Sequence, residues 1–469
     1  MLTGLAFVFI PLLLYVFLYF GAMVYAAYIS LWRWGLRGPR AFLGVHNYEQ
    51  VFGDPIFWKA VTNTLYYVAV WVPLTMALGP LPRGHRQPGP PRPDVLPGGA
   101  STSRRSPAPA AITVVWIFLL QPDGLFNSAR AVVGLNPIFQ ALGYADNFNW
   151  LGSSRTAMNA IILLNAWTTS GTVMLFYLTF LQQISREIYE AAAIDGAGAW
   201  QTFRRITFPL LRPAHFFVAT LLVIGGFKLF DQAIIAGGRG GEPSNALTTI
   251  VLFIYRSAIT DSEFGYAAAV GVVLFAIIFT LTLAQRRIFG ESALMVTADA
   301  RRPGSRAMTG PAEPTVAAAE AIVAPSPPAA VRAAGDSGRK IRRTVAYALL
   351  IGYAFLMLIP FLWQLITSFK TNPDALRLTV IPNPFTLQGW QTGFLNARPE
   401  HPQLFLNSVI IAGAVTLTNL VLASTAGYAF ARLRFPLREF LFIAVLGTLM
   451  IPDQLRFVPV YLIRTAARA

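Results

Sequence analysis

Few side chains in this protein could make or break a covalent bond, and they are not grouped to do so. The 469 residues contain no cysteine, which removes thiolate nucleophiles, disulfides and Cys-based zinc sites. The histidines His46, His85, His215 and His401 are scattered, with neither an HExxH pair nor another metal-ligand spacing. No GxxxxGK[ST] loop is present to hold a nucleotide phosphate. Glu190 and Asp195 lie in a polar stretch between apolar runs with no histidine beside them, so acid–base catalysis is not expected there. The pattern predicts no catalytic residue, no metal site and no cofactor. Two charges do fall in an otherwise apolar run, Phe227-Lys228-Leu229-Phe230-Asp231-Gln232. On a continuous helix Lys228 and Asp231 would meet three residues apart. Either they neutralise each other or they line the path of a solute.

The elements that must carry these residues are membrane spans. The chain is 55% hydrophobic and 12% charged, where a soluble domain carries about 25% charge. Apolar runs near spanning length cover 5–31, 60–79, 157–181, 216–235, 266–284, 345–366, 404–431 and 440–462. The first has no basic leader and no small-residue cleavage site, and is expected to be a retained span rather than a signal peptide. Trp32 and Trp34 at its end read as interface anchors. The net charge of +16 is better explained by basic loops on one side of a membrane than by nucleic acid. Arg186, Arg204, Arg205 and Arg212 share one loop. Arg286, Arg287, Arg301, Arg302, Arg342 and Arg343 bracket another, and Arg432, Arg434 and Arg438 mark a third. All three are cytoplasmic if the N-terminus is cytoplasmic. Arg33, Arg37 and Arg40 oppose that orientation but are outnumbered.

Between the 157–181 and 216–235 runs lies Glu190-Ala191-Ala192-Ala193-Ile194-Asp195-Gly196-Ala197, followed by Arg204, Arg205, Ile206, Phe208 and Pro209. The alanines favour helix, Gly196 permits a tight turn and Pro209 ends a second short helix. By itself this is an amphipathic connector. Its full spacing is E-A-A, three residues, Gly, nine residues, Ile, one residue, an aromatic, Pro. That resembles the signature loop of inner-membrane permeases of bacterial ABC importers, with Phe208 where leucine is usual. Leu120-Gln121-Pro122-Asp123-Gly124, the block from Phe42 through His46-Asn47-Tyr48 and Asp54-Pro55 to Asn63-Thr64, and the Phe227–Gln232 block are similar to the carbohydrate-class (maltose/glycerol-phosphate-type) permeases. Glu242-Pro243-Ser244 stands where a further glycine is more usual. Ser368-Phe369-Lys370, Asn407-Ser408 and Ala426 to Arg432 resemble the companion permease of such importers.

The resemblance implies an all-α polytopic transmembrane bundle of the type I importer permease. It has a six-span first part with a disrupted third span, plus about three spans of a second permease. It implies a permease in the bacterial cytoplasmic membrane that moves a carbohydrate without chemical change. A cytoplasmic ABC ATPase dimer would grip the 190–213 loop in a groove, with Arg204 and Arg205 at its rim. An extracytoplasmic solute-binding protein would deliver the sugar. An importer needs two such loops and this chain holds one, so either a second permease copy supplies the other or the chain is inactive. Asn165, Trp167 and Thr168, polar and aromatic in an apolar run, suit a sugar path with Phe227, Lys228, Asp231 and Gln232. Helix–helix hydrogen bonding explains Asn165 and Thr168 equally well. The competing function, an ion-coupled secondary transporter or channel, calls for acids in several spans, and Asp231 is nearly alone.

Composition divides the chain into a first permease over 1–287, a cytoplasmic disordered linker over 288–342 and a truncated second permease over 343–469. Met308 in the linker is either the start of a formerly separate gene or an ordinary residue. Residues 80–110 are rich in Pro, Arg, Gly, Ala and Ser and cannot span lipid. They are either a compensated frameshift or a real proline-rich loop. The sister subunit's signature loop and last three spans are expected to be missing after 469.

Overall fold

The structure is a computed structural model of the chain. It describes residues 2–36, 38–78, 109–299, 362, 365–371, 373–374, 382–392 and 400–448. The first apolar run forms α1 (Leu2–Tyr15), a π-helical stretch (Val16–Gly21) and α2 (Ala22–Ile29). The chain then turns into an antiparallel hairpin, β1 (Trp32–Gly35) with β2 (Gly38–Phe42). Among the described residues this hairpin is the only pair of strands, and it places Trp32 and Trp34 on a ladder just beyond the end of the first span. The aromatic residues favour the pleated ladder, and Gly38 takes the turn at φ 101°. Trp32 packs edge-on to Phe42 across the ladder, with centroids 5.1 Å apart.

Next come α3 (His46–Gly53) and the second span α4 (Pro55–Leu78). The family-like residues of this region are hydrogen-bonding staples. The Asn47 amide donates to the carbonyls of Ser30 at 2.7 Å and Trp32 at 3.1 Å. Asp54 accepts from the Ile56 N–H at 2.7 Å, satisfying a donor at the start of α4. Its other oxygen accepts from Tyr266 Oη at 3.0 Å, on the last span of the first part.

The apolar stretch before Gln121 forms α5 (Pro109–Leu119) among the described residues. Its 11 described residues reach about 16 Å of a hydrocarbon layer of about 30 Å; the expected disruption at 80–110 lies almost wholly outside the described residues. Two short helices, α6 (Leu125–Val132) and α7 (Asn136–Ala141), lead to the next span, α8 (Ala157–Leu181). Then follow α9 (Arg186–Ile194), α10 (Ala199–Thr202) and α11 (Phe208–Leu210), the last two joined by a π-helical stretch. The 216–235 run, the fifth span of the expected first part, gives α12 (Arg212–Phe227) and α13 (Asp231–Gly237). The first part closes with α14 (Ile250–Tyr255) and α15 (Phe264–Asp299). Helix α15 continues beyond 287 into the expected linker, through the helix formers Glu291, Ala293, Leu294 and Met295.

The core lies where α4 meets α8 and α12, and where α12 meets α15. Tyr67, Phe57, Ile161, Val218, Phe227 and Leu274 are buried in it. Gly226 allows α12 to approach α4 closely, because a Cβ there would stand 2.9 Å from Val68 Cγ2. Gly265 is tighter still: a Cβ would collide with the backbone carbonyl of Trp32, where the hairpin crosses the start of α15. Gly265→Ala is therefore expected to destabilise the purified chain by about 1–3 kcal/mol, as overpacking does. Thermal unfolding in detergent measures this, and an unchanged midpoint would refute the crossing.

The second part is described at α16 (Gln388–Trp390), α17 (Glu400–Arg432) and α18 (Arg438–Thr448). Helix α17 meets α1, and Val8, Ala429 and Phe435 form a small cluster with Leu12 and Phe430. Elsewhere α17 exposes Leu406, Ile410, Leu417 and Leu420, as a span facing lipid does. The expected run 345–366 is described only at 362 and 365–366, and residues 449–462 lie outside the described residues. Among the described residues six helical stretches are long and apolar enough to cross a membrane: Phe7–Ile29, Pro55–Leu78, Ala157–Leu181, Arg212–Gly237, Phe264–Gln285 and Gln403–Arg432.

Candidate functional site: the 186–215 elbow and the broken fifth span

Helix α9 begins after Ser185. The Glu187 backbone N–H, and secondly the Ser185 side chain, hold the Glu187 carboxyl below its ordinary range. The helix ends in a Schellman arrangement. Gly196 takes the left-handed conformation at φ 72°, its N–H donates to Ala193 O at 3.2 Å, and the Ala197 N–H donates to Ala192 O at 2.9 Å. Only glycine adopts this backbone without cost, which is why a glycine stands four residues after Ala192.

The elbow has two faces. Tyr189 and Ala192 are buried against the chain itself, with Thr207 Oγ1 donating to Tyr189 Oη at 3.4 Å. Glu190, Ala191, Asp195, Gly196, Arg204, Arg205 and Pro209 are exposed, while Ala197 and Ile206 are half-buried. Glu190 pairs with Arg186 at 2.8 Å; both are solvated, so the pair contributes about 0.3–0.5 kcal/mol. The open face also carries Ile194, 86% exposed, and Trp200, 59% exposed. Sequence reading missed these two. The signal was there: large apolar side chains in a polar loop.

The candidate path residues divide. Asn165 is buried and its amide donates to Tyr67 Oη at 2.8 Å, tying α8 to α4. Thr168 donates back to the carbonyls of Leu164 at 3.1 Å and Asn165 at 3.2 Å. Trp167 is half-buried and stacks on Trp116 of α5 at 5.9 Å. Helix α5 also packs against α13, so it lies between the fourth-span group and the Asp231–Gln232 group. Phe227 is fully buried, Lys228 and Gln232 are half-buried, and Asp231 is exposed.

The fifth span is not a continuous helix. Helix α12 ends at Phe227 and α13 starts at Asp231, which corrects the expectation that Lys228 and Asp231 face each other by helical spacing. The cause lies in the opposite loop. Thr249 Oγ1 donates to Leu229 O at 2.7 Å, within the break, and accepts the Leu252 N–H at 3.2 Å at the start of α14. A non-helical carbonyl at this depth is stable because protein, not lipid, supplies its partner. The same loop is pinned to α4 by the Asn63 amide, which donates to the carbonyls of Asn245 at 2.8 Å and Thr248 at 3.0 Å. Among the described residues no group of His, Cys, Asp and Glu is arranged to hold a metal ion.

Between α5 and α8, α6 and α7 form a small lobe around Arg130 and Asn127, another pair that sequence reading missed. Arg130 is 3% exposed; its Nε donates to Asn136 Oδ1 at 2.9 Å, and its Nη2 donates to the carbonyls of Ala145 at 2.9 Å and Asp146 at 2.6 Å. The guanidinium lies 4.9 Å from the Phe139 ring. Asn127 donates to the carbonyls of Pro122 and Phe148, and accepts from Trp150 Nε1 at 2.9 Å.

Comparison with known proteins adds the following. The family model described as "Binding-protein-dependent transport system inner membrane component" matches residues 5–290. The probable ABC transporter permease protein YurN of Bacillus subtilis (strain 168) is 31% identical over 61% of this chain and 92% of its own length. The arabinooligosaccharides transport system permease protein AraP of the same organism is 29% identical over 60% of this chain and 87% of its own. The sulfoquinovosyl glycerol transport system permease protein SmoG of Agrobacterium fabrum is 32% identical over 57% and 82%.

Proposed function

This chain belongs to the family of binding-protein-dependent transport system inner membrane components, and from that premise we propose that it is the permease subunit of an ATP-binding-cassette importer that takes a carbohydrate into the cell. The observation that carries the reading is the elbow. It follows a span, leaves it through a glycine-terminated helix, returns at Arg212, and exposes Ile194 and Trp200 beside Arg204 and Arg205. A water-exposed apolar face rimmed by arginines suits a groove on a soluble partner. The partner in this reading is an ATPase dimer on the cytoplasmic side, and a cytoplasmic N-terminus then requires one further crossing between α4 and α8, in the region that holds α5. An extracytoplasmic binding protein brings the solute. The carbohydrate assignment follows the relatives AraP and SmoG, whose names give sugar-containing solutes.

The chain's part is a path and a lever, not catalysis. Nucleotide-driven closure of the ATPases would push the elbow, and the spans would rock as packed bodies. The break at 228–230, backed by Thr249, is the natural place for a solute to meet backbone polar groups. Residues 1–287 and 343–469 in this reading are two permease-like parts joined by a linker over 288–342.

The test is uptake of labelled oligosaccharides by cells producing the full chain together with an ABC ATPase and a solute-binding protein from the same organism. Uptake is expected to stop when the ATPase is inactivated by substitution. Uptake that continues on an ion gradient would refute the importer reading in favour of ion coupling.

A further inference from the structure

We propose that His215 is a positioning residue, the joint that fixes the elbow to two spans at once; the role rests on the elbow being the ATPase handle. The junction between elbow and fifth span bends at Leu211, with ψ 6°, although the Leu211 N–H still donates to Thr207 O at 3.0 Å and the His215 N–H to Leu211 O at 2.9 Å. Side chains add to that backbone connection. His215 lies in the first turn of α12 and is 8% exposed. Its Nδ1 is 2.9 Å from Tyr177 Oη on α8, and its Nε2 is 3.2 Å from the Phe208 carbonyl on α11. A carbonyl can only accept, so Nε2 carries the proton. In the neutral ring Nδ1 then accepts from the Tyr177 hydroxyl. One imidazole thus ties the fourth span, the fifth span and the elbow.

The rings continue outward. Phe208 lies 4.5 Å from His215, Phe203 lies 6.1 Å from Phe208, and Trp200 stacks on Phe203 at 5.8 Å. The series runs from an indole 59% exposed on the elbow to Tyr177, 1% exposed in the core. Close-packed rings transmit displacement because they compress little. Phe208, at the position where the resembling loops have leucine, is the ring that touches His215. A leucine there would leave no ring-to-ring contact with the imidazole.

The cysteine-free sequence permits the experiment without background. Spin labels at Ala193→Cys and Thr179→Cys, both at exposed positions, report the elbow-to-span distance by pulsed electron resonance in the purified full chain. The parent is expected to give a narrow distribution. His215→Ala is expected to broaden it and Tyr177→Phe to broaden it less. His215→Gln, whose amide both donates and accepts, is expected to restore it. In the complex with the ATPase, His215→Ala should keep ATP hydrolysis while solute imported per ATP falls about tenfold. A distribution as narrow in His215→Ala as in the parent overturns the joint, as does unchanged import per ATP. If His215→Ala does not fold, Tyr177→Phe and His215→Gln answer the question, and equal widths across them and the parent overturn it. Failure of any ATPase to bind the parent would sink the importer reading, while the distance measurement would still judge the joint.

Discussion

Gly196→Val is expected to detach the ATPase from the purified complex while leaving the spans folded. The backbone at 196 is left-handed, at φ 72°, and a branched side chain there costs about 1–2 kcal/mol. The cost is purely conformational, since a Cβ at 196 would meet nothing within 4 Å. To escape it the turn must open, and opening releases the Ala197 to Ala192 and Gly196 to Ala193 hydrogen bonds. Helix α9 then re-aims Ile194 relative to Trp200, and the two-part exposed face no longer matches one groove. Gly196→Asn separates this from other causes, because asparagine tolerates the left-handed region. Quantifying ATPase recovered with affinity-purified chain should show a loss of roughly tenfold for valine, matching about 1.4 kcal/mol, and little loss for asparagine. Equal recovery in both variants and the parent would mean that the elbow's turn does not govern attachment.

Arg130→Ala is expected to unfold the lobe at 121–156 without dismantling the spans. The side chain is almost fully buried and holds Asn136, Ala145 and Asp146 together from a single guanidinium. Hydrogen bonds to a charged donor contribute about 1.5–3 kcal/mol each, and their removal leaves two backbone carbonyls without their charged donor. Lysine cannot replace the planar fork, so Arg130→Lys should lie nearer to alanine than to the parent. Hydrogen exchange over 125–150 is the measurement. Arg130→Ala should bring those amides to fast exchange while α8 and α12 keep their protection. Slow exchange throughout would show that the aromatic packing of Phe139 and Trp150 suffices alone.

The described spans were legible as helices because membrane helices are specified by composition along one dimension. The runs at 60–79, 157–181 and 404–431 differ from the observed helices by a few residues, since each is bounded by Pro, Gly or charge. The elbow was legible for a similar reason: Ala-rich helix, glycine turn and proline stop act within a few residues of one another. The hairpin at 32–42 was not, because its Trp and Arg content also fits a span end. The break at 228–230 was hidden more deeply. Lys228 to Phe230 carry no Pro or Gly, and the carbonyl of Leu229 leaves the helix because Thr249, twenty residues on, supplies its hydrogen bond.

What the sequence alone determined was therefore which segments are apolar and long enough to form spans and which are polar connectors. Tertiary structure decided which polar groups meet. Asn165 is spent on Tyr67, Asp54 on Tyr266, and His215 on Tyr177 and Phe208. Burial favours a partner for a polar group, but only the packed arrangement of spans determines which distant residue that partner is.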